Sequence, residues 1–190
     1  GTGRDRRDAR GPGPPVRTWK AIATLRAVRA FKRRPVEPKR LAKILDAGRR
    51  APSSMNLQRW EFVVVREPDR LAALGTVGDY AGHLAKAPVA IAFVTPESAK
   101  DSERESIAFD LGQCVQSMLL AAWEMGIGGC HAAVYDEAEA RRILELPTGK
   151  RCDYLISLGY PKAPIATDRP RTTVARRPME ELRHDETWSG

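Results

Sequence analysis

Cysteine, histidine and aromatic side chains are scarce in this 190-residue chain, and each scarcity narrows the function. The three cysteines, Cys114, Cys130 and Cys152, are far apart, odd in number and without CxxC spacing. That argues against a disulfide framework or a zinc site and leaves them as small buried apolar residues. The histidines, His83, His131 and His184, show no ligand spacing either. Aromatics are only 6% of residues, so basic side chains are not interleaved with rings as on a nucleic-acid surface. No apolar run approaches the roughly 18 residues of a membrane helix. No apolar segment follows the basic N-terminus, as a signal peptide requires. The expectation is a cytoplasmic protein with no nucleic-acid partner, no membrane span and no metal.

What is present fits one soluble domain: 42% hydrophobic and 29% charged residues, enough for a sizeable core. The net charge of +8 is concentrated at the tails. Residues 1–20 carry six basic and two acidic side chains, and residues 161–178 five and one, so each stretch is +4. Residues 1–17, rich in Gly, Pro, Arg and Asp, have almost nothing to bury and are expected to be a disordered basic tail. Residues 18–190 then form a single domain.

Hydrophobic period places the elements. "TWKAIATLRAV" reads as a helix with Trp19, Ile22, Ala23 and Leu25 as core candidates. A second helix starts near Pro38, carries Leu41, Ile44 and Leu45, and closes before Pro52. "WEFVVVRE" and "PVAIAFV" read as buried strands. "PDRLAALG" and "DYAGHLAKA" read as short helices. "ESIAFDLGQCVQSMLLAAWEMG" is a long helix buried along much of its length, stopped at Gly126. "GGCHAAV" and "CDYLISLGY" are further strands, separated by the helix "DEAEARRILEL" with its acidic cap. No regular pattern follows Tyr160. Helices and strands mixed in this order predict an α+β fold.

Two stretches carry chemistry. "RAPSSMNLQRWEFVVV" packs a proline, two hydroxyls, two amides and a tryptophan into nine residues, more than a plain connector needs. "MGIGGCHAA" is not a dinucleotide fingerprint, because its glycines follow a helix and precede a strand. No Ser-His-Asp or Cys-His arrangement is legible, so no side chain is assigned as a nucleophile.

In order and spacing, "RAVRAF", "APSSMNLQRWEFVVV", "APVAIAFV", "FDLGQCVQSMLLAAWEMGIGG" and "YLISLGYP" resemble the nitroreductase-like FMN-dependent oxidoreductases over residues 18–182. The resemblance implies a central, mostly antiparallel sheet wrapped by helices. It also implies a homodimer with FMN at two interface sites, and NADH or NADPH as reductant of a nitroaromatic, quinone or similar small acceptor. The flavin would carry the chemistry, with no catalytic side chain. The resemblance assigns Arg26 and Ala27 to the phosphate end and Arg29 to the N1/C2 edge of the ring, where a cation raises the flavin potential. Spacing of three puts Arg26 and Arg29 on one helical face if the first helix extends that far. Pro52, Ser53, Ser54 and Asn56 would cover the flavin of the opposite subunit. Gly128 and Gly129 would offer exposed N–H groups to its N5/C4 edge, and Arg176 would return to the phosphate. The family's usual first arginine and serine are Leu25 and Ala27 here. Two alternatives stay open: a same-fold flavin- or deazaflavin-linked dehydrogenase, and a flavin-free binding protein using its basic tails. His131 is expected to pack.

Overall fold

A computed structural model describes residues 18–165 and 176–188; the N-terminal tail lies outside the described residues. Helices α1 (Thr18–Thr24) and α2 (Pro38–Arg49) precede strand β1 (Glu61–Val65). Helix α3 (Pro68–Leu74) and a 3-10 segment at Ala81–Lys86 lead to β2 (Val89–Pro96). The long α4 (Asp101–Glu124), β3 (Gly128–Ala133), α5 (Glu137–Leu144) and β4 (Lys150–Gly159) complete the domain. The sheet has the order β1-β2-β4-β3, and all three pairings are antiparallel.

Strand β2 shows why this is a three-layer structure. Val89, Ile91 and Phe93 point to the layer holding α2 and α4, and Ala90 and Ala92 to the layer holding α3 and α5. A strand alternates its side chains, so large and small residues segregate to opposite faces. Flanked by strands on both edges and covered on both faces, β2 is buried almost throughout. By contrast β1 is an edge strand, and its first four residues are half-buried or exposed, so it is not the buried strand its apolar run suggests.

Helices α2 and α4 pack closely. A Cβ on Gly48 would lie 2.6 Å from the Met118 sulfur and 3.1 Å from the Cys114 sulfur. At the α2 N-terminus, Arg40 Nη1 donates to the Met125 carbonyl at 2.5 Å. The three cysteines are free and buried, and burial pushes the Cys114 and Cys152 thiols up to about 12.

The first helix differs from its sequence pattern. It ends at Thr24 and buries no residue. Trp19 is 78% exposed, Ile22 and Ala23 are exposed, and only Leu25 packs against the core. Arg26 and Arg29 therefore do not share a helical face. Beyond Thr24 the backbone gains more by bridging to the sheet, at Ala27↔Gly129 and Phe31↔Pro161, than by continuing an unpartnered helix.

The link from this segment into α2 is held by Glu37, at the N-cap position of the helix. Its carboxylate accepts from the Tyr160 hydroxyl and from Arg34 Nη2 at 2.5 Å. The Tyr160 hydrogen bond, with Arg34 beside it, lowers the Glu37 pKa from 4.5 to about 2. A carboxyl depressed in the folded state stabilises above its unfolded pKa, and that contribution is lost as pH falls toward the folded one. Glu37→Gln should therefore lower the urea midpoint at neutral pH. The gap from wild type should narrow as pH drops from 4.5 toward 2; urea titrations across that window check both statements.

Candidate flavin site

The first half of the site forms where the α1 exit lies along β3. Ala27 makes a parallel bridge to Gly129, and the Val28 N–H donates to the Gly129 carbonyl at 2.9 Å. The glycines permit this contact. A Cβ on Gly128 would lie 2.3 Å from Val28 Cγ2, and one on Gly129 would lie 2.7 Å from the Ser157 carbonyl. Both glycines are buried within the strand, Gly128 beneath the Val28 side chain and Gly129 against Ser157, Leu119 and Leu158, and this differs from the exposed N–H groups expected there. The turn itself is Gly126, at φ 74°.

Arg26 and Arg29 flank this bridge. Arg26 is half-buried, and its Nη1 donates to the Leu25 carbonyl at 2.9 Å and the Ala23 carbonyl at 3.2 Å, at the C-terminal end of α1. Carbonyls there carry partial negative charge, which suits a guanidinium. Arg29 is exposed. Behind it lies a buried polar group invisible in the sequence: His83 Nδ1 is 2.8 Å from Ser157 Oγ. Burial first, and the Arg29 charge second, hold the His83 imidazole below its usual range. His131, expected to pack, is exposed, because alternation along β3 gives the inward positions to Cys130 and Ala132.

The second half follows α2. A 3-10 turn at Ser54–Asn56 is entered from an extended Ser53. Met55, Asn56 and Gln58 then take φ of 50°, 55° and 47°. Left-handed backbone costs a non-glycine residue roughly 1–3 kcal/mol where the surroundings enforce it. Three such residues in four positions need a strong anchor. That anchor is Asp110 of α4, 2% exposed. Its carboxylate accepts the Ser54 N–H at 3.1 and 3.0 Å and the Ser54 hydroxyl at 3.4 Å. Arg59 stands 3.7 Å from Asp110, and its Nη2 donates to Ser106 Oγ at 2.8 Å. Ser106 Oγ in turn donates to Ser54 Oγ at 3.0 Å. Gln58 N donates to Ser53 Oγ at 3.0 Å and closes the loop on itself. Pro52, Ser54 and Asn56 stay exposed and Ser53 half-exposed.

The sequence reading missed Asp110 and Arg59. A signal was available: Asp110 interrupts the apolar stripe Ile107–Leu111–Cys114, and a carboxylate in such a stripe demands buried partners.

The structure thus brings Arg26, Ala27 and Arg29 to Gly128 and Gly129, and puts Pro52–Asn56 elsewhere. Thr24 is tied to Trp123 at the far end of α4 by a 2.9 Å hydrogen bond, and Ser54 is tied to Asp110. Thirteen residues of helix at 1.5 Å each separate these anchors, about 20 Å. Arg176 is exposed at the start of the second described stretch, and the chain leading back to it from β4 lies outside the described residues. Among the described residues no cluster of three or more His, Cys, Asp or Glu side chains converges on a point. No described helix is long and apolar enough to cross a membrane.

Gly128→Ala should detach the Ala27–Val28 segment, because Val28 is itself buried and has no room to yield. The cost expected for overpacking is about 1–3 kcal/mol. Amide hydrogen exchange should show Val28 losing protection while β2 keeps it.

Comparison with known proteins places the chain among relatives. The family model described as Nitroreductase family matches residues 22–77 and 79–160. A protein of Methanothermobacter thermautotrophicus, provisionally named NADH dehydrogenase/NAD(P)H nitroreductase, is 34% identical over 145 residues, 74% of this chain and 75% of its own. The solved FMN-dependent nitroreductase of Clostridium difficile superposes with a TM-score of 0.70 at 27% identity, over 78% of this chain and 90% of that one. The NADPH:FMN oxidoreductase of Vibrio harveyi, solved with NAD+, reaches a TM-score of 0.79 over 92% of this chain and 79% of its own; at 23% identity it shows a shared fold. With the family model matching most of the chain and a relative 34% identical over 145 residues, the chain belongs to the nitroreductase family.

Proposed function

We propose that this chain is an FMN-dependent oxidoreductase that uses NADH or NADPH to reduce a nitroaromatic, quinone or similar small acceptor, working as a homodimer. The observation that carries the reading is the bridge of Ala27 to Gly129, which sets Arg26 and Arg29 beside a strand stripped of side chains at Gly128 and Gly129. The group fits these residues. A phosphate suits a guanidinium, and half-buried Arg26 and exposed Arg29 offer two of them on one short segment. Family membership and an FMN-dependent relative support the same choice.

The chemistry that bound FMN supplies is acceptance of hydride from a nicotinamide and its delivery to an acceptor. The work left to the chain is to bind, orient and exclude water. Arg26 and Arg176 would hold the phosphate. Leu25 and Ala27 replace the family's usual arginine and serine there, so Arg26 bears more of the anchoring. Arg29 would place positive charge at the electron-rich edge of the ring and raise its potential. Gly128 and Gly129 would act through the Ala27–Val28 backbone, which lies against β3 and carries Arg26 and Arg29.

The remaining wall would be Pro52, Ser53, Ser54 and Asn56 of the partner subunit. The separation of about 20 Å along α4 supports this division, since one protomer's loop does not reach its own Arg26. Phe109 on α4 is 71% exposed and Met55 on the loop 86%, apolar surface that a second protomer would cover. The replacements at Leu25 and Ala27 favour one second reading, a same-fold flavin- or deazaflavin-linked dehydrogenase.

The visible spectrum of the pure protein separates FMN from a deazaflavin, and anaerobic mixing with NADH and with NADPH, which should bleach bound FMN, separates the nicotinamide-reduced enzyme from a flavin-linked dehydrogenase of another substrate. Protein that neither retains nor takes up FMN would refute the proposal. Arg26→Ala should weaken FMN binding about tenfold or more, the value of a hydrogen bond to a charged group. Riboflavin, which lacks the phosphate, should lose little affinity in the same variant. Equal losses for both ligands would move the phosphate away from Arg26. Sedimentation of the FMN-loaded protein should give a dimer.

A further inference from the structure

We infer that Asp110, together with Arg59, is the positioning residue of the flavin site's second half and acts on the cofactor of the opposite protomer. This rests on the shared-site reading above. The Ser53–Gln58 loop has no glycine, yet Met55, Asn56 and Gln58 are left-handed. It has no buried apolar residue to hold it down, since Met55 and Leu57 are exposed. What opposes its relaxation is polar and comes from α4. Asp110 takes the Ser54 N–H on both carboxylate oxygens, and Ser106 bonds the Ser54 hydroxyl. Arg59, whose side chain is 15% exposed, pairs with Asp110 and with Glu103 at 3.2 Å and so closes the group from the strand side. A buried carboxylate with this partner set fixes where the loop stands on α4, and therefore where Ser54 and Asn56 present themselves.

The role is positional: Asp110 is covered, and the residues it holds are the exposed ones. Without it the loop relaxes toward right-handed backbone, and Asn56 leaves the geometry in which the site needs it. The defect then appears in the partner's site, while the mutated protomer's own Arg26–Arg29 segment is untouched.

The test is bound FMN per dimer, read by absorbance, in homodimers and in mixed dimers purified through two different tags. Asp110→Ala homodimers should bind FMN at least tenfold more weakly. Asp110→Asn, which keeps one oxygen for the Ser54 N–H, should lose less, and it serves as the test variant if the alanine form does not fold. Arg29→Glu homodimers should also lose FMN. A mixed D110A/R29E dimer should recover one tight site of the two, because one site then combines an intact Arg29 with an intact loop. A mixed N56E/R29E dimer, with the lesion in the loop itself, should do the same. D110A and D110N homodimers that bind FMN as wild type overturn the inference. So does recovery by N56E/R29E without recovery by D110A/R29E, which would make Asp110 a general stability residue. Recovery by neither mixture refutes the shared site, and the inference with it.

Discussion

At Gly48 the backbone of α2 lies so near α4 that a methyl group would meet the Met118 side chain. Met118 is fully buried and has nowhere to move. This close approach makes α2 and α4 one antiparallel unit, with the Arg40–Met125 hydrogen bond at one end and the Ser54–Asp110 contacts at the other. Each half of the candidate site hangs on its own stretch of α4: the Ala27–Arg29 segment through Thr24 and Trp123 at the C-terminal end, the Pro52–Asn56 loop through Asp110 in the N-terminal half. The stretch of α4 between Asp110 and Trp123 sets the distance between them.

The two halves are built on different physics. At β3 the determining factor is the absence of side chains: Gly128 and Gly129 let a neighbouring backbone lie flat, and the arginines ride on that backbone. At the loop it is polar satisfaction. A chain forced into left-handed conformations at three ordinary residues stays there because a buried carboxylate would lose its partners if the loop relaxed. Removing one partner of a buried charge typically costs about 3–5 kcal/mol, comparable to the strain being held.

Several elements were legible because one local rule governs each. Pro38 opens α2, Gly126 ends the α4 region, and Asp136 caps α5 by accepting the Glu139 N–H. The apolar run of β2 reads correctly as a buried strand. The same rule misled at β1, since an apolar β-branched run does not say whether a second strand lies beside it. It misled again at α1, where Trp19 and Ile22 have helical spacing but no layer to face within the protomer. His131 sits on the outward side of its strand, a choice fixed by register with β4.

By itself the sequence determined the α+β class, the order of elements and the buried cysteines. These follow from local spacing and residue chemistry. Only the tertiary structure decided that the helix stops before Arg26, that Gly128 is covered by Val28, and that Asp110 and Arg59 fix a strained loop. It also decided that the candidate site's two halves stand about 20 Å apart on one helix. Each of these depends on which backbone lies beside which across long stretches of chain, and neither period nor propensity encodes that.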